Sequence, residues 1–150
     1  MAGEIPVTRF YFDAPYVAKC YLEEPDSARV RELVRGQVEM HTSALSLAEM
    51  GCILHRHVRE RRLTLREAVG VRDSFAAHVE RALWVLHPLS DQLLRRTQVK
   101  ALTLPPHIFL RAGDAIHLLS ARDAGFSEIW SSDRRLLAAA RHFGLRARSV

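Results

Sequence analysis

The chain alternates short apolar runs with longer stretches in which apolar residues recur every three or four positions. Arg9-Phe10-Tyr11-Phe12-Asp13 is of the first kind and predicts a buried strand over 9–13 that ends on an acid. The period then changes, predicting a helix over 14–23 whose Pro15 suits a first turn. Pro25-Asp26 breaks the chain, and Val30, Leu33 and Val34 mark the inner face of a helix over 27–35, which Gly36 stops. Strands are expected over 38–42, 82–86, 128–131 and 145–150, and helices over 43–62, 65–80, 90–101, 110–124 and 134–143. Thr64 and Glu67 have the spacing of a capping box, while Gly125 and Gly144 read as helix stops. Short strands alternating with helices predict a parallel sheet covered on both faces. The 150 residues show no repeat, low-complexity stretch or linker, so 1–150 reads as a single α/β domain.

Four acids break the apolar pattern. In Leu110-Arg111-Ala112-Gly113-Asp114-Ala115-Ile116-His117-Leu118-Leu119, Asp114 sits inside a helix that is apolar on most sides. Asp is a poor helix-interior residue, and a carboxylate against apolar neighbours is costly unless a cation or donors offset it. Glu49 has Leu45, Cys52 and Ile53 as its three- and four-apart neighbours, on or beside a buried face. Asp13 and Asp133 stand at strand-to-helix junctions, where an acid serves equally well as a helix cap. Arg111, Asp114 and His117 are spaced by three and share a helix face. Arg111 is suited either to a phosphate or to holding Asp114; His117 either orients a carboxylate or phosphate or packs in the core. Each acid alone is explicable, but together they read as a pocket. Carboxylates about 4 Å apart repel by roughly 4 kcal/mol at an effective dielectric near 20, so such a pocket needs a cation. All-oxygen ligation points to Mg²⁺ or Mn²⁺, a chemistry suited to phosphodiester hydrolysis.

Charge adds one more candidate. The net charge is +5, and Lys19 and Lys100 are the only lysines among 22 basic residues. The segment His55-Arg56-His57-Val58-Arg59-Glu60-Arg61-Arg62 forms the tip of an expected helical hairpin. Arg56, Arg59, Arg61 and Arg62 there make a positive edge that is either an RNA contact or a solvated turn. His55 and His57, two apart, face away from each other and do not suit a metal. Cys20 and Cys52 lie in apolar helical patterns without metal spacing, which predicts reduced, buried thiols in a cytoplasmic protein. No apolar run is long enough for a membrane span, and residues 1–10 lack a signal core.

The motifs Tyr11-Phe12-Asp13-Ala14, Tyr21-Leu22-Glu23-Glu24-Pro25, Thr42-Ser43-Ala44-Leu45-Ser46-Leu47-Ala48-Glu49, Arg111-Ala112-Gly113-Asp114-Ala115-Ile116-His117-Leu118 and Ser131-Ser132-Asp133-Arg134-Arg135-Leu136 follow one another in an order that resembles the PIN-domain family, and within it the VapC-type toxins of bacterial toxin–antitoxin pairs. Each motif is weak alone; the ordered set spans nearly the whole chain. The resemblance implies a three-layer α/β/α fold with one five-stranded parallel sheet, and metal-dependent endoribonuclease activity. It implies that Asp13, Glu49, Asp114 and Asp133 bind the metal with Ser131 as a supporting hydroxyl. It further implies a homodimer and an antitoxin whose peptide covers the acidic cleft. One departure stands out: the family often carries a hydroxyl residue soon after the first acid, where this chain has Pro15, which removes a hydrogen bond that would support the metal. The competing reading is a PIN-like module that binds RNA or protein without catalysis. A receiver-like phosphoacceptor domain is set aside, because neither lysine follows a late strand.

Overall fold

The computed structural model describes residue 3 and residues 6–150. Met1, Ala2, Glu4 and Ile5, part of the stretch read as lacking a signal core, lie outside the described residues. The elements run β1 (Thr8–Tyr11), α1 (Ala14–Lys19), α2 (Ser27–Leu33), β2 (Val38–Ser43), α3 (Leu45–Arg59), α4 (Leu65–Glu80), β3 (Trp84–His87), α5 (Asp91–Leu102), α6 (Ala112–Asp123), β4 (Glu128–Trp130), α7 (Arg134–Ala139), a 3₁₀ turn (Ala140–Phe143) and β5 (Arg146–Arg148). The alternation of strand and helix is as the periodicity predicts.

β2 lies between β1 and β3, parallel to both, with Tyr11 opposite His41 and Ser43 opposite His87. Because successive strand residues point to opposite faces, the sheet sorts its side chains into two cores. Tyr11 faces Ala115, Leu118 and Leu119 of α6, with Leu136 and Phe143 beyond. Phe12 and Trp84 face the other way, against Tyr16 and Val17 of α1, Met50 and Leu54 of α3, and Phe75 of α4. The single five-stranded sheet expected from the resemblance is not present. The chain forms a three-stranded sheet and a separate parallel pair, β4–β5. They meet edge to edge at one bridge, Phe12 to Trp130, supported by the Asp13 N–H donating to the Trp130 carbonyl at 3.3 Å. The ladder stops there because the backbone turns into α1 directly after Phe12, leaving β1 without further groups to offer β4.

Several local signals hold in detail. The Thr64 hydroxyl accepts from the Glu67 N–H at 3.2 Å while the Glu67 carboxylate accepts from the Thr64 N–H at 2.7 Å, a complete capping box. Gly144 closes the 3₁₀ turn at φ +73°, and a Cβ there would meet the Arg122 guanidinium at 1.9 Å, where Arg122 donates to the Phe143 carbonyl. The α3–α4 hairpin forms as expected, though α4 packs down on the core through Ala68 and Phe75.

Other expectations are corrected. α6 begins at Ala112 and not at 110, so Arg111 is its extended N-cap residue and is off the helical face that carries His117. Asp114 accordingly lies in the first turn of α6, where the helix dipole favours an acid, and not in the helix interior. Cys52 is exposed on the outer side of α3, and only Cys20 is half-buried; both are free thiols. Burial pushes the Cys20 thiol up to about 12. No helix among the described residues is long and apolar enough to cross a membrane.

Candidate active site

Asp13 is the most enclosed of the four acids, 1% exposed where β1 gives way to α1. It does both things its position allows. Its Oδ1 caps α1 by accepting from the Tyr16 N–H at 3.0 Å, and its Oδ2 accepts from the Ser131 hydroxyl. Ser131 also accepts from the Asp133 N–H at 2.9 Å, tying the loop after β4 to the end of β1. A hydrogen bond to the first acid therefore exists despite Pro15; it comes from across the sheet. Burial pushes the Asp13 carboxyl up to about 6, against the pull of His117 and the Ser131 and Tyr16 donors.

Glu49 projects from the middle of α3, its side chain 32% exposed, and its Oε1 accepts from His117 Nε2 at 2.6 Å. The imidazole is fully enclosed, and its Nδ1 has no partner. Gly113 packs against this carboxylate: a Cβ there would sit 3.5 Å from Glu49 Oε2, an ordinary packing distance, so the contact does not depend on glycine. Asp133 caps α7 through Oδ1, which accepts from the Arg135 N–H at 2.8 Å and the Leu136 N–H at 3.2 Å. Its Oδ2 lies 3.7 Å from the exposed Arg111 guanidinium. Asp114 is held otherwise. Its Oδ2 is buried with no hydrogen-bond partner at all. Burial raises its pKa, with the negative charges of Asp133 and Glu49 adding to the effect and Arg111 and His117 opposing it.

The four acids thus belong to one electrostatic neighbourhood. Asp114 feels Glu49 and Asp133, Asp13 feels Asp114, and His117 acts on both Asp13 and Asp114. They are not a ready-made ligand set, for among the described residues no three His, Cys, Asp or Glu side chains are arranged to hold an ion. The reason is visible in their partners. His117 occupies one oxygen of Glu49, Ser131 one of Asp13, and two backbone amides one of Asp133. The orphaned Asp114 oxygen is nevertheless what a cation would satisfy, and the donors are all hard oxygens, so the residues present fit Mg²⁺ or Mn²⁺. Ser131 contacts Asp13, His117 contacts Glu49 and Arg111 lies beside Asp133.

The hairpin tip stands apart from this pocket. Arg56, Arg59, Arg61 and Arg62 are all exposed, with Arg56 3.7 Å from Glu24 and Arg62 3.3 Å from Glu60. His57 turns inward to Glu24 at 2.8 Å. Sequence reasoning missed the Tyr11 hydroxyl, buried beside His117, its pKa raised by burial against the pull of the Ser120 hydroxyl. It also missed Thr42, whose hydroxyl donates to the Phe12 carbonyl at 2.8 Å just before Asp13. A Thr within a strand gives no sign of which backbone it will hold.

With this geometry in view, the chain belongs to the PIN-domain family, whose model matches residues 10–142. Among solved structures, the chain is similar to VapC20 of Mycobacterium tuberculosis, described as a Sarcin-Ricin loop cleaving toxin. That likeness has a TM-score of 0.67 at 16% identity and covers 87% of this chain and 94% of VapC20. Comparison with curated proteins returns no match.

Proposed function

We propose that this protein is a Mg²⁺- or Mn²⁺-dependent endoribonuclease, the toxin of a toxin–antitoxin pair, acting in the cytoplasm as a homodimer and neutralised by an antitoxin whose peptide covers the acidic cleft. The observation that carries the reading is the unpartnered, buried Asp114 oxygen among three further acids. A carboxylate in that position is costly in the free protein and is stabilised once a cation arrives. Asp13, Glu49, Asp114 and Asp133 are the candidate ligands. When bound, the ion would supply an activated water and neutralise charge on the attacked phosphate.

The remaining work falls to this chain's own groups. Ser131 and the Tyr16 amide hold the Asp13 carboxylate at a fixed angle. His117 holds Glu49 by one oxygen and leaves the other free. Arg111, exposed beside Asp133, is placed to receive a substrate phosphate in exchange for its ion pair. The exposed arginines of the hairpin tip are a candidate path for the rest of the RNA.

The test pairs calorimetry with cleavage. Mn²⁺ should bind the wild-type chain, and purified protein should cut RNA only when the ion is present. Asp114→Asn should lower cleavage more than about a hundredfold, beyond the range that ligand-supporting partners command. Cleavage that persists in EDTA or in Asp114→Asn would remove this mechanism; a folded chain that binds RNA but no Mn²⁺ would favour the non-catalytic module. Charge reversal at Arg56, Arg59, Arg61 and Arg62 should weaken RNA binding and flatten its salt dependence.

A further inference from the structure

Phe109 is, among the described residues, the aromatic side chain that the fold leaves in solvent; it is 58% exposed, whereas every other Phe, Tyr and Trp is buried or half-buried. The loop that carries it, between α5 and α6, is not loose. The Ile108 N–H donates to the Pro105 carbonyl at 2.9 Å, and Leu104, Ile108 and Leu110 pack into the core beneath α6. With both neighbours turned inward, the ring at 109 is held outward. Its position adjoins the acid pocket, because Arg111 two residues on lies 3.7 Å from Asp133. The Arg135 guanidinium carbon stands 3.9 Å from the Phe109 ring centroid, covering the ring from the α7 side. The same Asp133 that caps α7 accepts from the Arg135 N–H at 2.8 Å, so acid, guanidinium and ring are fixed relative to one another.

We propose that Phe109, backed by Arg135, is a stacking platform for one nucleobase of a single-stranded RNA whose adjoining phosphate lies at the acid pocket. The proposal rests on reading that pocket as a nuclease site and adds how the strand is placed in it. Aromatic rings and guanidinium planes are the surfaces on which unpaired bases stack, and an exposed ring flanked by positive charge meets both the base and its phosphates. An apolar protein partner would ask for a wider patch, whereas His107, Arg111 and Arg135 around this ring are exposed and polar. Since every base has a π-face, the platform gives register and affinity more than base identity.

The test uses the full chain carrying Asp114→Asn, so that RNA is bound and not cut, with a labelled single-stranded RNA read by fluorescence anisotropy with and without Mn²⁺. Adding Phe109→Leu, which keeps an apolar side chain and removes the π-face, is expected to weaken binding about tenfold. Phe109→Trp is expected to keep the affinity, and its new indole emission should be quenched when RNA binds. Arg135→Gln should weaken binding and reduce its salt slope. Equal affinity for Phe109→Leu and its parent overturns the platform while leaving the nuclease reading intact. Failure of the Asp114→Asn chain to bind RNA at all overturns the nuclease reading, and the platform with it. A change in the oligomeric mass of Phe109→Leu by light scattering assigns the ring to a contact between copies and overturns the platform.

Discussion

Two polar clusters flank Tyr11, and they are built on opposite terms. On one side His41 and His87 stack with ring centroids 5.1 Å apart, His41 Nδ1 lies 2.9 Å from His87 Nε2, and His41 Nε2 bonds Glu39. Phe126 packs edge-on against His41, and Arg9 covers Phe126. On the other side, 6.3 Å away by ring centroids, His117 touches the acid group. There Asp114 Oδ2 and His117 Nδ1 are enclosed without partners, and the Tyr11 hydroxyl has only a weak contact with Ser120. Buried polar groups in folded proteins are ordinarily paired, so an accumulation of unpaired ones asks for an explanation. Three of the four ring nitrogens of the histidine pair find partners within the protein, so the pair is explained by structure. The acid cluster leaves the Asp114 Oδ2 and the His117 Nδ1 open, and structure alone does not account for them.

The sharpest way to break this contrast is to remove charge from the acid side and ask whether the fold gains. Asp13 holds its proton up to about 6 in the folded chain against an ordinary value of 3.8. Its folded value is raised, so the folded state binds the extra proton. Stability from this group is therefore full below 3.8 and is lost as pH rises through about 6. The gap of roughly two pH units corresponds to a cost of ~3 kcal/mol at neutral pH. In metal-free protein, Asp13→Asn is expected to raise unfolding stability by up to about that much at pH 7.5, and by nothing at pH 4. Denaturant titration at the two pH values measures it. A variant less stable than wild type at pH 7.5 would mean that the acid cluster is as well satisfied as the histidine pair.

A smaller effect separates His117 from the ligands it supports. His117→Gln keeps a donor near Glu49 but loses the fixed ring that sets its angle. Mn²⁺ affinity is expected to fall 10- to 100-fold by roughly the scale of ligand-supporting residues, with the far-ultraviolet circular dichroism unchanged. Unaltered affinity in calorimetry would return His117 to the core as a packing residue.

What could be read from the residues alone divides along physical lines. Periodicity and capping carry local information, so the order of strands and helices, the Thr64–Glu67 box and the junction position of Asp13 were all accessible. The continuity of the sheet was not, because whether β1 goes on pairing with β4 depends on how soon the backbone turns after Phe12. Periodicity puts Asp114 in a helix interior, whereas the start of α6 at Ala112 places it in a first turn, free of that strain. The residue is half-buried with its Oδ2 enclosed, and burial rather than helix position raises its pKa, with the charges of Asp133 and Glu49 adding to it. Arg111 and Cys52 were misplaced for a related reason, since helical spacing says which residues share a face only once the helix ends and the buried side are known. Phe109 gave no signal because loop residues have no period to break.

The smallest effect belongs to the histidine pair and carries the opposite sign. Burial pulls His41 and His87 below the usual imidazole value, with the Glu39 carboxylate opposing this at His41 and the proximity of His41 adding to it at His87. The unfolded chain therefore takes up these protons first as the solution is acidified. Their contribution to stability is intact above about 6.5 and is lost as pH falls through the lowered folded values. In the Asp13→Asn background, where the opposing carboxyl is gone, the denaturation midpoint should fall steadily between pH 7 and pH 5. The ring-proton resonances of both histidines should titrate below the ordinary imidazole value of about 6.5. If His41 and His87 titrate at or above that ordinary value, burial and the hydrogen bond between them are not holding the neutral forms. The distinction between a satisfied cluster and a waiting one would then have to rest on the acids alone.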